Sequence, residues 1–133
     1  MLALAENQRA HPPFGDLLAA KREELASLHT SLDRDPTERV LEAIDNPHVD
    51  CIGHLTGRRL SRPARAAGAA VDIEQIVARA VETGTALEIN GQPRRLDLDS
   101  AMARRALAGG ARLTVGADAH SGEALDLVRF AVL

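Results

Sequence analysis

The residues of this chain that could bind a metal or move a proton are not scattered. His29, His54, Asn90, Asp118 and His120 each fall at or just beyond the C-terminal end of a segment patterned like a β-strand. In α/β folds that edge gathers the loops in which sites assemble. Asp118-Ala119-His120 is the sharpest motif. Residues i and i+2 of an extended segment point to the same side, so one carboxylate oxygen and one imidazole nitrogen can reach the same ion or adjacent ions. Mixed His/Asp ligation suits Mn, Zn or Fe, and an open coordination position leaves room for an activated water. An isolated Asp-x-His fits a hydrogen-bonded strand end equally well. The strand-end positions of His29 and His54 add weight to the metal reading. His48 precedes its strand and so belongs to the opposite edge, and His11 lies in the N-terminal segment; neither is a candidate.

Arginines crowd the loop after His54, at positions 58, 59, 62 and 65. Guanidiniums near a metal site are what a phosphate substrate needs. Arg62 and Arg65 read more simply as a solvated loop, whereas Arg58, close after His54, is the candidate that would assist chemistry. Arg94 and Arg95 follow Pro93 in another strand-end loop and point to the same mouth. Glu88 lies within a strand, where a buried carboxylate needs a partner; pairing with an arginine or orienting a ligand histidine are its two readings. Cys51 sits mid-strand and reads as a small buried hydrophobe.

The elements that position these residues alternate. Leu25–His29 is the first strand-like run. A helix follows, with Asp35 as cap, Pro36 in the first turn, Glu38 near the positive end, and Val40, Leu41 and Ile44 on one face. Asn46-Pro47 stops it. Val49–His54 is the next strand. After an Arg- and Gly-containing loop, Asp72 and Gln75 resemble a capping box for a helix through Ile73, Ile76, Val77, Ala80 and Val81, which Gly84 ends. The strand Thr85–Asn90, a helix over Ala101–Leu107 ended by Gly109-Gly110, the strand Leu113–Ala117 and a helix capped by Ser121 and running through Phe130 complete the chain. This βαβαβαβα order predicts an α/β fold, a parallel sheet covered by helices. Residues 1–24 read as a helical N-terminal segment broken by Pro12-Pro13.

Hydrophobic residues make up 45% and charged residues 26%, a globular composition. Aromatics are 2%, with no Trp or Tyr, so the core rests on Ala, Val, Leu and Ile, and base-stacking platforms are largely excluded. The net charge of −3 does not favour nucleic acid as a whole, although local basic runs do. A single cysteine excludes an intramolecular disulfide and suits a reducing compartment. No stretch approaches a membrane helix. The expectation is a cytoplasmic protein without membrane association.

Several of these stretches resemble the later metal motifs of the PHP (polymerase and histidinol phosphatase) family. They are Leu25-Ala26-Ser27-Leu28-His29-Thr30, Asn46-Pro47-His48-Val49-Asp50 leading into Gly53-His54-Leu55-Thr56-Gly57-Arg58, Leu87-Glu88-Ile89-Asn90 with Pro93–Leu98, and Gly116-Ala117-Asp118-Ala119-His120-Ser121. The match is nearest to the PHP domain of bacterial family-X DNA polymerases and covers residues 25–133 in the family's order. The resemblance implies the C-terminal part of a distorted (βα)7 barrel, about four βα units, with divalent metal ions (Mn, Zn or Fe) at its C-terminal rim. It implies His29, His54, Asp118 and His120 as ligands, with Arg58 beside them. It also implies a phosphoester substrate: a DNA 3′ end, a nucleotide or a small phosphate metabolite.

The family's opening His-x-His motif, its next Asp/His segment and its Glu ligand have no counterpart here, and Leu55 stands where the family usually has Pro. The N-terminal half of the barrel is thus missing from the expectation. A half-barrel leaves open edges, so a homo-oligomer, or a chain carrying the other half, is expected to complete the site. The alternative is a non-catalytic PHP remnant or partner-binding fragment. A plain nucleotide-binding α/β domain is a third reading, and no strand is followed by a G-x-G-x-x-G or P-loop pattern to support it.

Overall fold

The computed structural model describes residues 34–132. In chain order these form α1 (Pro36–Asp45), β1 (Cys51–Ile52), α2 (Ile73–Thr83), β2 (Ala86–Asn90), α3 (Ser100–Ala108) and β3 (Leu113–Gly116). Two 3-10 segments, Pro63–Arg65 and Glu123–Ala131, follow β1 and β3. The strands make a three-stranded sheet in the order β1-β2-β3. Both pairings are parallel, with Cys51 opposite Ala86 and Asn90 opposite Gly116 at the two limits of the register. The alternation expected over this part of the chain is therefore present. The expected first strand, Leu25–His29, and the segment 1–24 lie outside the described residues.

The helix starts follow from short polar side chains. Asp35 accepts from the Thr37 amide at 2.8 Å, and Pro36 occupies the first turn, where its missing N–H costs nothing. Asp72 accepts from the Gln75 amide at 3.1 Å. The expected reciprocal box takes a different form. The Gln75 side chain bonds the Asp72 carboxylate at 2.7 Å, and the Asp72 amide donates instead to Thr37 Oγ1 at 3.0 Å. One hydroxyl thereby links the beginnings of α1 and α2. Gly84, at φ 74°, ends α2 in the left-handed conformation that glycine adopts without a Cβ penalty. Asp99 caps α3 through the Ala101 and Met102 amides.

Register and alternation divide the sheet into two faces. Ile52, Leu87, Ile89, Leu113 and Val115 share one, and the helices pack on it: α1 on β1, α3 on β3, and α2 between α1 and α3. Leu87 and Ile76 are both 0% exposed at the centre of this layer, with Val40, Ile44, Ile52 and Ala106 around them. The opposite face carries Cys51, Ala86, Glu88, Asn90, Thr114 and Gly116, all small or polar. Cys51 is accordingly half-buried, with Sγ 3.4 Å from Thr114 Oγ1, and not the buried hydrophobe expected from its position.

Two other expectations are corrected. The strand expected over Val49–His54 is only two residues long, Cys51–Ile52, and His54 at its expected end leaves extended geometry at φ 33°. The helix expected after Ser121 is a 3-10 segment. Ser121 Oγ does accept from the Ala124 amide at 3.3 Å, but the segment contributes no buried residue, and Leu125 and Phe130 stay exposed. Without a buried apolar stripe, packing does not enforce α-helical geometry.

The layer makes a direct prediction. Leu87→Ala, at the packed centre, will cost about 2–5 kcal/mol. Val115→Ala, on the same face but 51% exposed, will stay within about 0.5 kcal/mol of the parent. Urea unfolding of the two variants checks the contrast; equal midpoints would contradict this account of the core.

Candidate functional site

Because the strands are parallel, their C-terminal ends lie on one edge, and three loops begin there. The first leaves β1 through Gly53 and His54. The His54 amide donates to Glu88 Oε2 at 2.8 Å, and the same oxygen accepts from Asn90 Nδ2 at 3.4 Å. Glu88 therefore positions His54 through its backbone, a more specific role than either sequence reading gave it. Its side chain lies over β3, where Gly116 makes room: a Cβ on Gly116 would collide with Glu88 Oε1. His54 Nδ1 is buried and has no hydrogen-bond partner among the described residues.

The same loop is held a second time further on. The Thr56 amide lies 3.1 and 3.3 Å from the two carboxylate oxygens of Asp97, which is 0% exposed. Burial pushes the Asp97 carboxyl above its ordinary value, while hydrogen bonds from Thr56, the His54 charge and the Arg58 amide pull it the other way. Leu60 N–H donates to the Arg94 carbonyl at 2.8 Å, so the loops after β1 and β2 are joined along their length.

The third loop leaves β3 through Asp118. Its carboxylate Oδ2 lies 3.7 Å from Nε of Arg95, a guanidinium that is almost wholly buried. The carbonyl of Asp118 lies 2.7 Å from His120 Nδ1. A neutral His120 donating from Nδ1 leaves Nε2 with the lone pair, the tautomer a ligand histidine needs. Arg59 stands beside this pair. Its pKa is lowered chiefly by the charge of Arg95, then by burial, Arg62 and Arg65, with Asp118 acting in the opposite sense.

Arg58 takes a different direction. Its Nη1 lies 3.6 Å from Asp99 Oδ2 at the start of α3. It lines a cleft of about 460 Å³ together with Asn90, Asp99, Ser100 and Arg104. Arg95, which the sequence only associated with the mouth, is the arginine paired with Asp118.

Strain marks the same loops. The non-glycine residues with positive φ among those described are His54 at 33°, Leu96 at 49° and Asp118 at 48°. Each such residue costs on the order of 1–3 kcal/mol and persists where surrounding contacts over-determine it. All three lie in loops that leave the C-terminal edge. Among the described residues no group of three His, Cys, Asp or Glu side chains is placed to hold a metal ion, and His29 lies outside those residues. The edge thus gathers His54, Asn90, Asp118 and His120 without closing them into one ligand set. Asp97 was missed by sequence reasoning. Its signal was a lone acid between Leu96 and Leu98, the pattern of a carboxylate drawn into an apolar layer.

Asp97 gives a pH prediction with a definite sign. A raised folded-state pKa means that the folded chain holds its proton more tightly than the unfolded chain. Stability from this group therefore falls as pH rises above the ordinary carboxylate value of about 3.9. Asp97→Asn removes that fall while keeping an acceptor for Thr56, so thermal melts will show the variant gaining on the parent from acid toward neutral pH. Parallel melting curves would refute the assignment. Asp97→Ala, which leaves the Thr56 amide unpaired, will cost about 1–3 kcal/mol.

No family model matches the chain. Over 114 residues, 84% of its length, it is 40% identical to the DNA polymerase/3'-5' exonuclease PolX of Bacillus subtilis (strain 168). The match spans 20% of that protein. The chain is therefore related to one region of PolX, about a fifth of that protein's length.

Proposed function

We propose that this chain contributes the C-terminal part of a PHP-type phosphoesterase site, acting on a DNA 3′ end or a related phosphoester. A second copy, or a chain carrying the other half of a barrel, completes it. The observation that carries the reading is the buried Nδ1 of His54, unpartnered among the described residues, on the same sheet edge as Asp118 and His120. A buried ring nitrogen without an acceptor or donor is costly, and a divalent ion is one group that satisfies it. The PolX relative, whose name includes a 3'-5' exonuclease, supports the phosphoester class.

On this reading His54, Asp118 and His120, which are not placed as one ligand set within the described residues, would contribute ligands once the other half of the site is present, with His29 as a further ligand by resemblance. When bound, Mn, Zn or Fe would supply a hydroxide at neutral pH and neutralise developing phosphate charge. The chain's own residues do the rest. Glu88 fixes His54 through its amide, the Asp118 carbonyl fixes the His120 tautomer, and Asp97 holds the intervening loop. Arg58 and Arg95 bring positive charge to the mouth.

One observation favours the non-catalytic alternative. Asp118 is engaged by Arg95 and Arg58 by Asp99, so charges the reaction needs are neutralised within the chain.

Elemental analysis of the purified chain, with its native mass recorded, separates the two. The hydrolase reading expects bound Mn, Zn or Fe that is lost in His120→Ala, with metal-dependent release of nucleotide from a DNA 3′ end. Metal content no higher than in the variant would sink that reading for this chain.

A further inference from the structure

Arg95 poses a problem that the proposed ligand set does not solve. Its residue exposure is 6%, so its guanidinium is out of water. Its ion pair with Asp118 spans 3.7 Å, longer than a hydrogen bond, and its Nη1 is buried with no partner among the described residues. A guanidinium presents five N–H donors in a planar fork, and a buried one without acceptors is destabilising. Asp118 balances the charge and leaves the donors of Nη1 unmet among the described residues. Arg59 brings a second guanidinium close enough for the two to repel.

Both arginines are held by backbone. Arg59 N–H donates to the Arg65 carbonyl at 2.8 Å, and the neighbouring Leu60 amide to the Arg94 carbonyl at 2.8 Å. Arg95 N–H donates to the Gln92 carbonyl at 2.8 Å. The loops carrying the two cations are thus tied together independently of any ligand. The buried carboxylate of Asp97 is turned to the Thr56 amide. An anion with several acceptor oxygens suits such a pair better than one carboxylate at 3.7 Å, because the guanidinium fork matches phosphate bidentately.

We propose that Arg95 and Arg59 form a phosphate-binding subsite at the C-terminal sheet edge, which Asp118 fills in the free chain as an internal counter-ion. The phosphate displaces Asp118 from Arg95 and frees its carboxylate. The subsite deepens the phosphoesterase reading, since a phosphoester substrate supplies such a group. Its biological ligand rests on that reading; its existence does not, and it is measurable without metal.

The test is calorimetric titration of the full chain in EDTA. One arm uses inorganic phosphate. The other uses a short oligothymidylate with hydroxyls at both ends, whose phosphates are all internal diesters. Arg59→Gln and Arg95→Lys are expected to weaken binding about tenfold or more. Asp118→Asn, which removes the competitor, is expected to tighten it by about fivefold or more. That gain is the decisive readout, because a general loss of structure or positive charge would not produce it. Arg59 is half-buried and its replacement leaves the core intact, so it keeps the test valid if Arg95→Lys unfolds by circular dichroism. Binding of either probe with this variant pattern supports the subsite, and the probe that binds identifies the source as a free phosphate group or a strand's internal diester. Binding of neither probe overturns the proposal. So does an Asp118→Asn variant that binds no tighter, or an Arg59→Gln variant that binds as well as the parent. Absence of metal by elemental analysis, with this pattern intact, would remove the hydrolase reading and leave the subsite standing.

Discussion

The loop after β1 depends on two carboxylates that approach it from β2 and the segment beyond. Glu88 takes the amide of His54, and Asp97 takes the amide of Thr56. A hydrogen bond to a charged acceptor contributes about 1.5–3 kcal/mol, against the cost of taking the carboxylate out of water. That balance is delicate for Asp97, whose burial raises its pKa. It is nonetheless what allows His54 to stay in left-handed backbone geometry, with its ring at the sheet edge and not within the strand. The fold below supplies the rigid frame. Leu87 and Ile76 are fully buried in the layer that packs one face of the sheet, so Glu88 on the opposite face of β2 is aimed by a packed strand.

Much of the frame was legible from residue pattern. Asp35-Pro36 and Asp72 marked the starts of α1 and α2, Gly84 marked the end of α2, and the apolar periodicity of Ile73, Ile76, Val77 and Ala80 matched the buried face of α2, whereas Val81, read with them, is 46% exposed. Local chemistry decides such features, and local chemistry is what a sequence displays. The edge location of His54, Asn90 and Asp118 was legible for the same reason, since strand ends can be read from where apolar runs stop.

What was not legible depends on long-range pairing. Arg95 and Asp118 are separated by a helix and a strand, and Arg58 turns to Asp99 at the start of α3. No local pattern distinguishes one arginine of that loop cluster from another. The 3-10 segment Glu123–Ala131 escaped for a related reason. Its periodicity is amphipathic, yet it lies against β2 and β3 with Leu127 and Val128 only half-buried and Leu125 and Phe130 exposed. Periodicity reports what a segment would bury; only the surrounding sheet decides whether it does.

Gly116 carries a consequence for the geometry of the site. The hydrogen at this position is what leaves Glu88 its place over β3, and Glu88 in turn sets the backbone of His54. A side chain at position 116 would force the Glu88 carboxylate to shift from its place over β3, and the contact that sets the His54 backbone would shift with it. The geometry of this histidine is thus sensitive to the size of a residue two strands away.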